Sequence, residues 1–245
     1  MRVLLLLVVA LAGCAPGATG PADAPRTAPD LGEIRYACDG PPGFAPALLD
    51  QPATAETEDH PSAAALRMAI ANNGQALDLL PPSGYWLVSR DERVAEYLAH
   101  PPGFPDSEFA SATVENMDGA WKLVGWGGCH PAIVLDGLSR ATWTLEAGVA
   151  ARAADTTTFT ALVTETACTG GLPMETRLLP PSIVYSEDSV SIVFVARPLE
   201  WNEGIIVTCP GNPSSRVVVQ LREPLGERRL LDAGLFPAEP IAPQF

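Results

Sequence analysis

Cys38, Cys129, Cys168 and Cys209 are the residues of this chain whose number says most about chemistry. An even count behind an export signal reads as two disulfides, with three pairings open. Joining Cys38 to Cys129 and Cys168 to Cys209 keeps each bridge inside one of two proposed domains. No metal is expected. There is no Cys-x-x-Cys, and the histidines are only His60, His100 and His130, the last adjacent to Cys129. A catalytic thiolate is not expected either, because oxidative pairing consumes it. Nucleophile elbow, Walker A, dinucleotide, zinc-protease and EF-hand motifs are all missing, so no cofactor and no catalytic residue is assigned.

The remaining chemistry lies in acids, arginines and tryptophans. Glu165 precedes Cys168-Thr169-Gly170-Gly171, and Glu223 and Glu227 bracket Pro224-Leu225-Gly226. With Arg177, Arg222, Arg228 and Arg229 they are expected to form a polar cluster at one end of a domain. That cluster is either a ligand-binding rim or a bridge network that fixes irregular loops. Trp121 and Trp126 flank a strand, and a spacing of five puts them on opposite faces of a regular strand. One then joins the core, and the other can meet a sugar or a flat apolar ligand. Trp121, Trp126, Glu165 and Arg177 are therefore the candidate ligand contacts. His60 reads as a neighbour of a helix cap, His100 as the end of a helix and His130 as structural.

These residues need elements to position them. Pro61 to Asn72 has a first-turn proline and good helix formers, and Asn73-Gly74 stops it. Trp86-Leu87-Val88 reads as a short strand. Asp91 then reads as the N-cap of a second helix, with Val94, Tyr97 and Leu98 on one face until Pro101-Pro102. The loop from Pro101 to Pro105 reads as a rigid connector or a recognition element. Phe109–Asn116 and Ala120–Trp126 read as strands joined across Met117-Asp118-Gly119, a hairpin signal. From about Ala141 the pattern is all-β: Thr142–Leu145, Thr156–Thr166, Ser182–Tyr185, Ser189–Arg197, Gly204–Cys209, Arg216–Arg222 and Arg228–Leu231. The expected fold class is α+β, with a small α+β domain over 31–140 followed by an all-β immunoglobulin-like sandwich over 141–240.

Residues 1–13 read as a signal peptide, with Arg2 followed by the apolar run Val3 to Ala12. Ten residues fall well short of the roughly 20 that span a bilayer as a helix. Leu11-Ala12-Gly13-Cys14 resembles the lipobox of bacterial lipoproteins. That resemblance implies an acyl (palmitate-type) anchor on Cys14 and small residues before the cut that fit the peptidase. Residues 14–30 follow as a lipidated tether rich in proline and lacking large apolar side chains.

Three phrases stand in order near the C-terminus: Glu165-Thr-Ala-Cys168-Thr-Gly-Gly171, Cys209-Pro-Gly-Asn-Pro213 and Glu223-Pro-Leu-Gly-Glu-Arg228, with Leu231-Asp232 just after. As a set they resemble the C-terminal module of uncharacterised extracytoplasmic lipoproteins of high-GC bacteria, over roughly the last third of the chain. A single lysine, Lys122, against 14 arginines agrees with a high-GC coding background. The resemblance implies an extracytoplasmic address and a disulfide, and no reaction.

Fifteen Lys+Arg against 29 Asp+Glu give the 245-residue chain a net charge of −14. That excess excludes a nucleic-acid binder and disfavours electrostatic docking on anionic lipid. Any membrane contact is then expected through the acyl anchor, on the outer face of the cytoplasmic membrane in a bacterial cell envelope. The expected function is a non-catalytic binding or interaction module for an envelope glycan or protein. The alternatives are a glycan hydrolase using a carboxylate pair such as Glu165 and Glu223, or a structural subunit of a membrane complex.

Overall fold

Alternating apolar and polar residues dominate this chain, and strands dominate its structure. The computed structural model describes residue 28 and residues 33–38, 40, 42–72, 79–100, 103–146, 154–200, 208–209 and 211–241. The expected signal peptide, Cys14, nearly all of the expected tether, the Asn73-Gly74 stop, Pro101-Pro102, Trp201 and most of the expected Gly204–Cys209 strand lie outside those residues. Among the described residues the fold is largely β, with one α-helix.

The first half holds an antiparallel sheet in the order β2-β3-β4-β5, built from β2 (Tyr85–Arg90), β3 (Val94–Ala99), β4 (Phe109–Met117) and β5 (Ala120–Cys129). The β4–β5 turn centres on Asp118 (φ 54°) and Gly119 (φ 85°). Positive φ at both central residues is what a tight hairpin's twist requires, and Asp-Gly supplies it. Helix α1 (Pro61–Asn72) covers one face of this sheet, burying Ala63 and Leu66 against Ala95, Tyr97, Ala112 and Val114. A two-stranded antiparallel sheet joins β1 (Tyr36–Ala37), near the start of the described chain, to β6 (Ala132–Ile133), just after β5.

The expected second helix is instead β3. The Asp91 carboxylate accepts the Arg93 and Val94 N–H groups at 2.7 and 2.8 Å, the same local bonds that an N-cap makes. Here they close the β2–β3 hairpin. Tyr97 packs towards α1 and Leu98 into a different cluster on the opposite face. With both faces buried, the strand loses its alternation and imitates a helical stripe. His100 consequently ends a strand, where its Nδ1 lies 2.9 Å from the Glu108 carbonyl.

The second half contains β7 (Ser139–Leu145), β8 (Thr158–Glu165), β9 (Ser182–Tyr185), β10 (Ser189–Ala196), β11 (Ser215–Gln220), β12 (Arg229–Asp232) and β13 (Glu239–Pro240). They run in the order β11-β8-β7-β10-β12-β13, with β9 on the other edge of β10. Strand β10 carries the topology. Its first part pairs in parallel with β12 and antiparallel with β9, and its last three residues pair with β7.

Both faces of β10 are buried, which explains its near-continuous apolar run. Val190, Ile192, Phe194 and Ala196 face a core that includes Trp143, Phe159 and Val163. Val193 and Val195 face another, formed with Tyr36, Phe44, Phe109 and Ile133 from the first half. Burying each such side chain contributes roughly 1.5–3 kcal/mol, so β10 stabilises both cores at once. Cys38 is bonded to Cys129 and Cys168 to Cys209, with Cα separations of 5.6 and 5.5 Å. The first bridge ties the end of β5 to the residue after β1, beside the shared core.

Candidate functional site

Glu165 ends β8 on the inward face, where alternation buries it to 3% exposure. Arg177 meets it with both terminal nitrogens, and Arg177 Nη1 also donates to the Arg197 carbonyl at 2.6 Å. The fork of a guanidinium matches the two carboxylate oxygens, so the charges satisfy each other. Asn212 holds the same corner. Its Nδ2 donates to the Glu165 and Ala167 carbonyls at 2.6 Å, and its Oδ1 accepts from the Thr169 hydroxyl at 2.6 Å. This network fixes the loop that carries Cys168.

Glu223 lies elsewhere. It follows β11, whose Gln220 pairs with Thr158 at the opposite end of β8 from Glu165. Seven residues of strand separate those ends by roughly 23 Å, so Glu165 and Glu223 form no carboxylate pair. Glu223 instead pairs with Arg228 at 2.7 Å, and that guanidinium holds its carboxyl below the usual range. Arg222 lies 4.1 Å over the Tyr185 ring and Arg228 lies 5.4 Å from it, which makes Tyr185 the centre of a cation–π stack. The polar residues named in the sequence therefore form two clusters at two ends of the sheet.

Trp121 and Trp126 differ from the regular-strand expectation for a clear reason. Val114 pairs with Leu123 and Thr113 with Gly125, so Val124 is an extra, bulged residue. Trp121 then lies opposite Asn116 and Trp126 opposite Ala112, four residues apart on β4 and so on one face. Trp121 packs against the α1 core, whereas Trp126 is 46% exposed near the end of β5. Strand β5 is an edge of its sheet, and the open space at Gly127 lies on the opposite face, whereas Gly128, on the face of Trp126, is closely approached by Ser107 and Phe104. The result is a half-exposed indole on an edge strand.

Trp121 also touches a polar group at the head of α1. The His60 ring lies 5.5 Å from it, edge to face. His60 Nδ1 accepts the Ser62 N–H at 3.2 Å, and Ser62 Oγ lies 2.7 Å from both His60 Nδ1 and the Tyr97 hydroxyl. With Nδ1 as acceptor, the chain runs from Tyr97 O–H through Ser62 O–H to His60. A serine–histidine contact suggests a nucleophile, but Ser62 is fully buried. Its bonds cap a helix end and satisfy a buried tyrosine.

One cluster was not singled out from sequence. Asp232, at the end of β12, is 3% exposed, and its Oδ1 accepts the Gly234 N–H at 2.8 Å. Burial pushes its carboxyl up to about 6, against the smaller lowering effects of that bond and of Arg140. Arg140 is itself held below its ordinary value by burial, and its Nη1 has no hydrogen-bond partner among the described residues. His130 Nε2 lies 3.2 Å from Glu239 nearby. Period-two alternation puts Leu230 and Asp232 on the same inward face, and that was the available signal.

Open concavities accompany these clusters. One of about 420 Å³ is lined by Leu145, Leu225, Leu230 and Ile241 with Arg228 and Arg229. Another of about 350 Å³ is mostly apolar, between Ile34, Tyr36, Val184 and Phe236. Among the described residues no three His, Cys, Asp or Glu side chains converge to hold a metal ion. No helix among them is long and apolar enough to cross a membrane. Compared with known proteins, the chain matches no family model, no curated sequence and no solved structure.

Proposed function

We propose that this chain is a lipid-anchored protein of the bacterial cell envelope whose folded body is a non-catalytic binding or interaction module. The carrying observation is the order of Arg2, the apolar run Val3 to Ala12, and Leu11-Ala12-Gly13-Cys14. That order fits export followed by acylation of Cys14 on the outer face of the cytoplasmic membrane. Two disulfides suit an oxidising compartment. A net charge of −14 makes an acyl group the physically reasonable means of holding such a body near lipid. The resemblance of the C-terminal phrases to extracytoplasmic lipoproteins of high-GC bacteria supports the same address.

In this reading the second half is an immunoglobulin-like sandwich. Supporting it are a core of Trp143, Phe159 and Phe194 and the antiparallel pairing of β7 with both β8 and β10. The binding surface includes Trp126, because a half-exposed indole on an edge strand suits the face of a sugar ring. Glu165 and Arg177 support the fold instead, and separation of Glu165 from Glu223 removes the simplest acid pair for glycoside hydrolysis. The test is binding of the purified chain to a panel of envelope glycans and wall fragments. Binding without turnover, weakened at least tenfold by Trp126→Ala, is the expected result. Release of sugar products by the wild type overturns the non-enzymatic reading.

A further inference from the structure

We propose that Asp232 is a proton-controlled latch on the strap that joins the two halves of the molecule, one that holds the strap more firmly in mildly acidic surroundings. The part it holds is the strap from Asp232 to Pro240. It leaves β12, crosses to the first half and returns to pair with β12 as β13, with Asp232 opposite Glu239. Along the crossing, the Tyr36 hydroxyl donates to the Ala233 carbonyl at 3.1 Å and the Ile133 N–H to the Gly234 carbonyl at 2.9 Å. The Phe236 N–H donates to the Pro131 carbonyl at 2.8 Å. The Phe236 ring packs 5.2, 5.9 and 6.2 Å from Tyr36, Phe44 and Phe109. Those contacts join the halves.

Asp232 stands at the root of the strap. The groups facing it come from every neighbouring element: Arg140 on β7, Glu239 on β13 with His130 against it, and Tyr36 on β1. Strand β10 contributes only the uncharged Ile192 opposite it. When ionised, Asp232 is a buried carboxylate that shares its one nearby cation with Glu239. A proton removes both the desolvation cost and the repulsion from Glu239, and leaves the Gly234 bond in place. Its carboxyl titrates at about 6 in the folded chain against 3.8 as its ordinary value. The stabilisation is thus complete below 3.8 and lost as pH rises through 6.

Hydrogen exchange of the folded chain at about pH 5 and about pH 7.5, corrected for intrinsic rates, reads the latch directly. Amides of Ile133, Gly234 and Phe236 should be about tenfold better protected at the lower pH. In Asp232→Asn the protection should be high at both, and in His130→Gln the dependence should persist. Dependence that survives Asp232→Asn, or that disappears in His130→Gln, overturns the proposal. Glu239→Gln provides a route that leaves Asp232 untouched, because Glu239 is about half exposed (49%). It should move the midpoint of the change to lower pH, and an unmoved midpoint counts against the latch.

Discussion

Two buried carboxylates in this molecule are held in different ways, and the difference has measurable consequences. Glu165 has a guanidinium on both oxygens, whereas Asp232 accepts the Gly234 N–H and faces Arg140 and Glu239, whose charges act on it in opposite directions. Removing one partner of a buried pair strands the other, so Glu165→Ala should cost about 3–5 kcal/mol in urea unfolding. The double variant Glu165→Gln with Arg177→Met should recover most of that. Asp232→Asn should behave in the opposite sense. Relative to the wild type it should gain roughly 3 kcal/mol between pH below 3.8 and pH above 6, read from unfolding midpoints across that range. A gain on the acidic side instead would show that the sign is wrong. Trp126→Ala, at a 46% exposed site, should change stability far less than Trp143→Ala in the 3% exposed core, where about 3–5 kcal/mol is at stake.

The strands show why some elements could be read from sequence and others could not. In the second half the alternation of Val217 and Val219 against Val218 and Gln220 survives in β11, and Ser182–Tyr185 is a strand to the residue. Asp118-Gly119 marks its hairpin because backbone conformation alone demands those residues. Strand β3 was hidden by its two buried faces and by an aspartate whose turn bonds look like a helix cap. The faces of Trp121 and Trp126 were hidden by one bulged residue, which no spacing argument can see. Cysteine parity and placement favoured the observed pairing, but the separation of Glu165 from Glu223 depends on strand register. Turn chemistry can be tested at two glycines with open space around them. Gly119→Ala, at φ 85°, should cost about 1 kcal/mol through backbone strain alone. Gly127→Ala should be neutral or slightly stabilising, and thermal melting of the two variants would distinguish them.

At the scale of the molecule, β10 and the Asp232–Pro240 strap make the halves share one core around Tyr36, Phe44, Phe109, Val193 and Val195. Phe236→Ala should therefore cost about 3 kcal/mol and destabilise both halves in one transition, rather than release one early. Tryptophan fluorescence would follow Trp86 and Trp121 in the first half and Trp143 in the second. The acidic surface of this body offers little attraction to anionic lipid, so the proposed address depends on Cys14. That dependence can be examined without knowing the ligand. The full chain would be expressed in a bacterium fed a clickable fatty-acid analogue, beside a Cys14→Ala variant. The account predicts label on the wild type, recovered with the membrane fraction, and none on the variant. An unlabelled wild type, or a variant that still carries the label, would contradict it.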